Sequence, residues 1–281
     1  MIRGWYTSAS GMRAQQWRLD AIANNLANVD VDGYKKDMAA FKAFPELLLR
    51  RTGDDGVRTN PFGSSDAAPV IGKLGTGVEL NELYTSFEQG AMKETQNDYD
   101  LALDGKGFFT VQTPWGERYT RNGSFHLGKE GYLETKEGYP VLGEQGPIKI
   151  QANNFQVDKR GNIWINAAYE PGDMIAREGN TWEETALLDT LKLVGFDVER
   201  YLEKQGSSLY RATDISGEAQ VIEAENRPRV VQGFTESSNV DPVLEMVQMI
   251  EVNRAYEASQ KVVQAEDTML GVLINQAAKV G

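Results

Sequence analysis

A few places in the 281-residue chain carry residue types able to do chemistry. Asp98, Asp100 and Asp104 stand just before Gly105, an arrangement that invites a calcium loop. Such a loop wants oxygen ligands at its first, third and fifth positions, a glycine at the sixth and a glutamate at the twelfth. Counted from Asp98, Ala102 falls at the fifth, Leu103 at the sixth and Phe109 at the twelfth, so the three acids read as turn residues beside a strand. Gly75-Thr76-Gly77 and Gly105-Lys106-Gly107 are too short for a phosphate cradle. Neither opens a helix, whose N-terminal N–H groups such a site needs. The single histidine, His126, offers a general base but has no nucleophile or acid in a surrounding motif. Glu183 and Glu184 are adjacent carboxylates. Glycoside cleavage needs its pair held about 5–10 Å apart across a cleft, and neighbouring side chains point apart, so a solvated acidic face is the simpler reading.

Composition narrows the choice further. The chain has no cysteine, which removes disulfides, thiol nucleophiles and cysteine zinc sites. With 41% hydrophobic residues it can bury a real core, and it carries a net charge of −12. No basic stripe is interleaved with aromatics, so no nucleic-acid partner is expected. The first residues, Met1-Ile2-Arg3-Gly4-Trp5-Tyr6, lack the apolar stretch of a signal peptide, and no run reaches the eighteen apolar residues of a membrane span. No cofactor, no metal and no direct membrane insertion are expected. The chain reads as a non-enzyme.

What remains is architecture. Asn239 or Asp241 can cap a helix, Pro242 suits its first turn, and no proline follows. One helix of ~57 Å is expected over Asp241–Ala278. Its apolar residues fall on two seams roughly 130° apart at 100° per residue. The first runs Leu244, Val247, Ala255, Ala258, Val262, Ala265, Met269 and Val272, with Glu251 as a polar intruder at the missing step. The second runs Met249, Val252, Tyr256, Val263, Leu270 and Ile274. Both keep the three- and four-residue steps of a packed helix, and an ordinary surface helix needs only one. In a lone subunit the first helix can cover one of these rows but hardly both, and partial disorder at both ends is expected until neighbours supply the second surface. A second helix is expected over Trp5–Asn28, with Trp5, Ala9, Met12, Leu19, Ala23 and Leu26 on one face. Gly33 stops it. The two terminal helices are expected to pair as a coiled-coil-like unit. Asn24, Asn25 and Asn28 either bond local backbone or bond across to neighbouring subunits.

Between the helices the period changes. Residues 38–78 are hard to read: Phe41–Leu49 suits a short helix or strand, and Arg50–Val70 an extended, partly mobile loop. From Val78 to Phe234 apolar residues alternate, as in Phe109 and Val111, Ile148 and Ile150, Ile163 and Ile165, and Leu191 and Leu193. Glycines 116, 131, 138, 161 and 217 stand where hairpin turns fall. About ten short strands are expected, with a short helix over Thr181–Leu188. The fold class is α+β: an N-terminal rod-like helix (1–34), an extended region (35–78), a β-rich middle domain (79–234) and a C-terminal helix (235–281).

Ala9-Ser10-Gly11-Met12, Ile22-Ala23-Asn24-Asn25-Leu26-Ala27-Asn28 and Gly33-Tyr34-Lys35 resemble the N-terminal signature of flagellar axial proteins of the rod and hook. Glu236-Ser237-Ser238-Asn239-Val240-Asp241, Met249-Ile250 and Arg254-Ala255-Tyr256-Glu257 resemble the signature at the other end. Phe87-Glu88-Gln89-Gly90, residues 100–105 and 107–111, and Tyr119–Phe125 also match the family in order. Within it, Arg121-Asn122-Gly123-Ser124 and Gly143–Ile148 are similar to the proximal FlgF type, while the first helix suits the FlgG type about as well. The resemblance implies a structural basal-body rod subunit that polymerises helically through its terminal helices. It implies copies of itself and other rod or hook subunits as partners, and passage through the flagellar export apparatus to the periplasmic rod without a cleaved signal peptide. The expected subunit interface comprises Met12, Leu19, Ala23, Asn24, Asn25, Leu26 and Asn28 at one end. At the other end it comprises Leu244, Val247, Met249, Val252, Tyr256, Ala258, Val262, Val263, Met269, Leu270 and Ile274. A cell-wall hydrolase working in the periplasm is the rival from another class.

Overall fold

In the computed structural model, residues 2–51, 57–60, 63–66, 70–150, 154–166, 185–206, 208–223 and 226–277 are described, with backbone alone for 2, 3, 57–60, 63–66 and 277. The chain divides into two compact units, one of Met1–Ala23, Met38–Leu83 and Val243–Gly281, the other of Asn24–Asp37 and Tyr84–Pro242. The unit boundary therefore falls within the first helix.

The first unit holds two long helices and a β ribbon. Helix α1 spans Ile2–Ala27, and helix α2 spans Pro242–Ala277, close to the bounds read from period and capping. Strands β1 (Asp37–Ala43) and β6 (Val78–Thr85) pair with each other. Between them run β2 (Leu47–Arg50), β3 (Val57–Asn60), β4 (Gly63–Asp66) and β5 (Val70–Leu74). Strands β2 and β5 pair antiparallel with Leu47 opposite Leu74, and β3 pairs antiparallel with β4. The loop reading of 50–70 is thus corrected: where described, this stretch is a two-stranded ribbon. Backbone ladders, which need no apolar alternation, make it, and Leu47, Leu48 and Leu49 all stay exposed.

The second unit is built of short strands. They are β7 (Met92–Glu94), β8 (Leu101–Asp104), β9 (Phe108–Thr113), β10 (Gly116–Thr120), β11 (Phe125–Leu127), β12 (Leu133–Thr135), β13 (Gln156–Val157) and β14 (Asn162–Asn166). There follow β15 (Thr185–Thr190), β16 (Leu193–Gly195), β17 (Glu203–Gln205), β18 (Leu209–Arg211), β19 (Gln220–Val221), β20 (Arg229–Gln232) and β21 (Phe234–Glu236). More strands form than the ten expected, because many are only two or three residues long. A six-stranded sheet has the order β17-β18-β10-β9-β16-β19, and a smaller one β13-β14-β15. The helix expected at Thr181–Leu188 is corrected as well: Thr185–Leu188 lies in β15, and Thr181–Glu184 fall outside the described residues.

Two apolar clusters cover the two faces of the central strands. Phe109, Val111, Leu193 and Ile163 join one, with Leu101, Leu133 and Ile148. Phe108, Tyr119, Val194, Leu202 and Tyr210 form the other. That is why Phe108 and Thr110, which alternation would turn to solvent, are buried. Phe108 meets Phe87, Phe196 and Tyr210 edge to face, contacts worth ~0.5–1.5 kcal/mol each beyond burial.

Candidate assembly surface

Within the first unit, small residues let the two helices meet. A Cβ added to Gly11 would touch Ser259 Oγ at 3.8 Å, and one added to Gly4 would overlap the Glu266 carboxylate. Seven residues forward along α1 thus match seven backward along α2, an antiparallel approach. Ala14, Ala21 and Ile22 of α1 are buried, as is Val252 of α2 at 2% exposure.

The covered side of α2 is the row Met249, Val252, Tyr256, Val263 and Leu270, all buried or half-buried. The exposed side carries Leu244, Val247, Ala258, Val262, Met269 and Val272, joined by Val243, Met246 and Ile250. Of the two rows, the Met249 row is therefore the one covered within the chain, Ile274 excepted, which is exposed. Both rows are equally apolar in sequence, and the glycines of α1 decide which is covered. On α1, Met12, Leu19 and Leu26 are half-buried, while Ala23, Trp5, Tyr6 and Trp17 are exposed.

Beside α1, Tyr6, Arg13, Trp17, Phe44, Val78 and Leu80 help line an open groove of about 530 Å³. The Val78 N–H donates to Ser10 Oγ at 3.3 Å. Gly77, at φ +147°, leaves no room for a Cβ, which would sit 2.5 Å from Ser10 Oγ and 2.8 Å from Phe44. The glycine of the failed phosphate motif is thus a close-packing position, a role that only the tertiary contact shows.

In the second unit the pieces of the two terminal signatures meet in a buried polar knot. Lys35 and Glu236 are fully buried, with Lys35 Nζ 2.6 Å from Glu236 Oε1. Lys35 Nζ also donates to the Glu88 carbonyl at 2.6 Å, and the Gly90 N–H donates to Glu236 Oε1 at 2.9 Å. Arg121 Nη1 lies 3.5 Å from the other carboxylate oxygen. Burial lowers the pKa of Lys35 and of Arg121, with the charge of Glu236 opposing in both. Asn25 is locked by its own set: its Oδ1 accepts from the Asp37 N–H at 2.8 Å and from Tyr34 OH at 3.2 Å, and its Nδ2 donates to the Asp37 carbonyl at 3.0 Å. Lys204 Nζ bonds Asp37 Oδ2 at 3.0 Å and lies over the Tyr34 ring. Gly33 turns the chain at φ +67°, where a Cβ would meet the Asn122 backbone at 2.4 Å.

The three asparagines therefore differ. Asn25 is a buried structural residue, whereas Asn24 is exposed and Asn28 half-buried, with Asn28 Nδ2 donating to the Asn24 carbonyl at 2.8 Å. The chemical candidates are scattered: His126 is exposed on β11 opposite Glu134, and Asp100 is buried away from any acidic cluster. Among the described residues no group of three His, Cys, Asp or Glu could hold a metal, and no helix is long and apolar enough to cross a membrane. Glu183 and Glu184 lie outside the described residues.

Comparison with known proteins finds three family matches along the chain. Residues 6–35 match the family described as flagella basal body rod protein. Residues 102–165 match the flagellar hook protein FlgE/F/G D1 domain, and residues 231–276 the flagellar basal body rod FlgEFG protein C-terminal family. The flagellar basal-body rod protein FlgG of Borreliella burgdorferi is 33% identical over 279 residues, covering 98% of both chains. FlgG of Buchnera aphidicola is 34% identical over 96% of this chain and 98% of its own. The basal-body rod protein FlgF of Caulobacter vibrioides is 34% identical over 93% of this chain and 92% of its own. With end-to-end similarity to proteins of one kind, and with both signature segments meeting in one buried knot, this chain belongs to the flagellar basal-body rod protein family.

Proposed function

We propose that the protein is a non-catalytic structural subunit of the flagellar rod, polymerising helically with copies of itself and neighbouring rod or hook subunits. One observation carries the reading: the row from Val243 to Val272 on α2 is apolar and exposed along the length of the helix, a patch that free monomers seldom tolerate. Assembly covers it. The contacts between Gly4 and Glu266 and between Gly11 and Ser259 support a continuous coiled-coil-like pairing of α1 and α2. In the assembled rod Met12, Leu19 and Ala23 flank this pair, and the outer residues Leu244, Val247, Ala258, Val262 and Met269 meet the next subunit. The covered residues Val252, Tyr256, Val263 and Leu270 act within the subunit. The β2–β5 ribbon, with its exposed leucines, supplies a further contact with a neighbour. Residues 79–234 form a β-rich middle domain between rod-core helices 1–34 and 235–281. The subunit reaches the periplasmic rod through the flagellar export apparatus.

Arg121–Ser124 and Gly143–Ile148 favour a proximal, FlgF-like position. A distal, FlgG-like position is favoured instead by the several relatives named FlgG at 33–34% identity. The test is a clean deletion of the gene. Loss of rods and of swimming, restored by the wild-type chain, supports the reading. Intact rods in the deletion strain, or release of soluble fragments from cell-wall sacculi by the purified protein, overturns it in favour of a dispensable protein or a hydrolase.

A further inference from the structure

Glu251 breaks the outer apolar row of α2, and neither packing within the chain nor the family assignment explains it. The residue is exposed and makes no ion pair or hydrogen bond among the described residues. Arg13 is in the same condition. It stands exposed in the middle of the α1 face that lines the groove, between Tyr6 and Trp17. The groove's other charged side chain, Glu79, is already held by Lys42 at 3.1 Å. One open cationic position thus lies in an apolar groove, and one open anionic position lies in an apolar helix row.

We infer that Glu251 of one copy pairs with Arg13 of a second copy, as the start of α2 seats in the α1 groove. The inference rests on the reading of the outer α2 row as an assembly face. Val243, Met246, Val247 and Ile250 are each about half or more exposed. Their spacing, i, i+3, i+4 and i+7, is that of a helix anchored in a groove. From Val243 to Glu251 the helix advances about 12 Å, and the α1 wall from Tyr6 to Trp17 is about 16 Å long, so the row fits within it. Phe44, Val78 and Leu80 form the opposite wall and accept the aliphatic side chains. At 100° per residue, Glu251 lies at the edge of the row beside Leu244 and Val247, where it meets the groove's cation rather than its apolar floor. A lone acid in an apolar contact would weaken it, whereas a paired one sets register and excludes wrong partners.

The test uses full-length chains expressed as the sole copy in the deletion strain. Arg13→Glu and Glu251→Arg each leave like charges facing and are expected to reduce rod yield at least about tenfold. The double variant restores the pair in reverse and is expected to recover rods to within about threefold. Because both positions are exposed, melting curves of the purified variants should match wild type. Failure of the double reversal to restore what the singles lose means that the two residues meet other partners, and the pairing is wrong. Wild-type assembly by both singles is equally fatal to it. Ile250→Glu separates the two levels: if it blocks rods while the single reversals do not, the row assembles without this pair. If Ile250→Glu also assembles normally, the assembly face itself is misplaced.

Discussion

Glu236→Gln tests whether the buried knot holds the terminal signatures in place by charge. The substitution keeps shape and a hydrogen-bond acceptor but removes the carboxylate that lies 2.6 Å from Lys35 and 3.5 Å from Arg121. Lys35 keeps the Glu88 carbonyl and a neutral amide oxygen in place of the carboxylate, so its charge loses its counter-ion, and Arg121 loses its carboxylate partner. Stranding buried cations in this way costs ~3–5 kcal/mol, a large share of the ~5–15 kcal/mol that holds a typical domain together. At about 1.4 kcal/mol per decade, the folded-to-unfolded ratio falls by two to three decades or more. Lys35→Met should cost less, because Glu236 then retains Arg121 and the Gly90 N–H. Urea unfolding followed by circular dichroism measures both. A loss under about 1 kcal/mol for Glu236→Gln, or a larger loss for Lys35→Met, would mean that the knot is not held by this carboxylate.

Three further outcomes follow from the same geometry. Tyr210→Phe should be neutral or stabilising, since the buried hydroxyl has no hydrogen-bond partner and an unsatisfied buried group costs ~1–3 kcal/mol. Burial also holds the phenol above its ordinary range, so above about pH 10 the unfolded chain ionises first and stability drops with rising pH. The Phe variant should lose that part of the drop, and a destabilised Tyr210→Phe would show a missed hydrogen bond. Burial alone would raise the Asp158 carboxyl, but the Asn162 N–H and side-chain amide and the Arg160 N–H hold it below 3.8. Its stabilisation is complete above that value and is lost as pH falls through the lowered one. Unfolding of Asp158→Asn should therefore depend less on pH across this acid window than wild type, and an unchanged slope would dismiss the effect. Val252→Ala should destabilise the subunit by ~1–3 kcal/mol through lost burial, whereas Val262→Glu should leave thermal unfolding unchanged and stop rod formation. The opposite pattern in melting curves and rod yield would make the Met249 row the assembly face.

Both helices were legible because a 3.6-residue period over many turns has few rival readings; Pro242 marks the start of α2, whereas α1 ends at Ala27, before the expected stop at Gly33. Coverage was not legible, since the Met249 and Leu244 rows differ little in apolar content and the choice is made by Gly4 and Gly11 on a partner element. In the β region, Phe109 and Val111 were placed correctly because one face meets the larger core. Phe108 and Thr110 are buried too, because a second core covers the other face, which alternation cannot register. The strand option for 41–49 is met by β1 and β2, but the pairings of β2 with β5 and of β3 with β4 escaped because they are held by backbone ladders. Lys35 and Glu236 each stood out within a signature, but their pairing across 201 positions leaves no local trace. Gly77 was noticed for the wrong chemistry.

Neighbouring subunits are expected to cover the outer row of α2 in the rod. Electron cryo-microscopy of isolated basal bodies at side-chain resolution tests it most directly. The expected result is rod density that fits this chain, with Val247, Val262 and Met269 packed against other subunits and the Met249 row packed within its own. Rod density that cannot accommodate the chain, or that leaves Val247, Val262 and Met269 facing solvent, would contradict it.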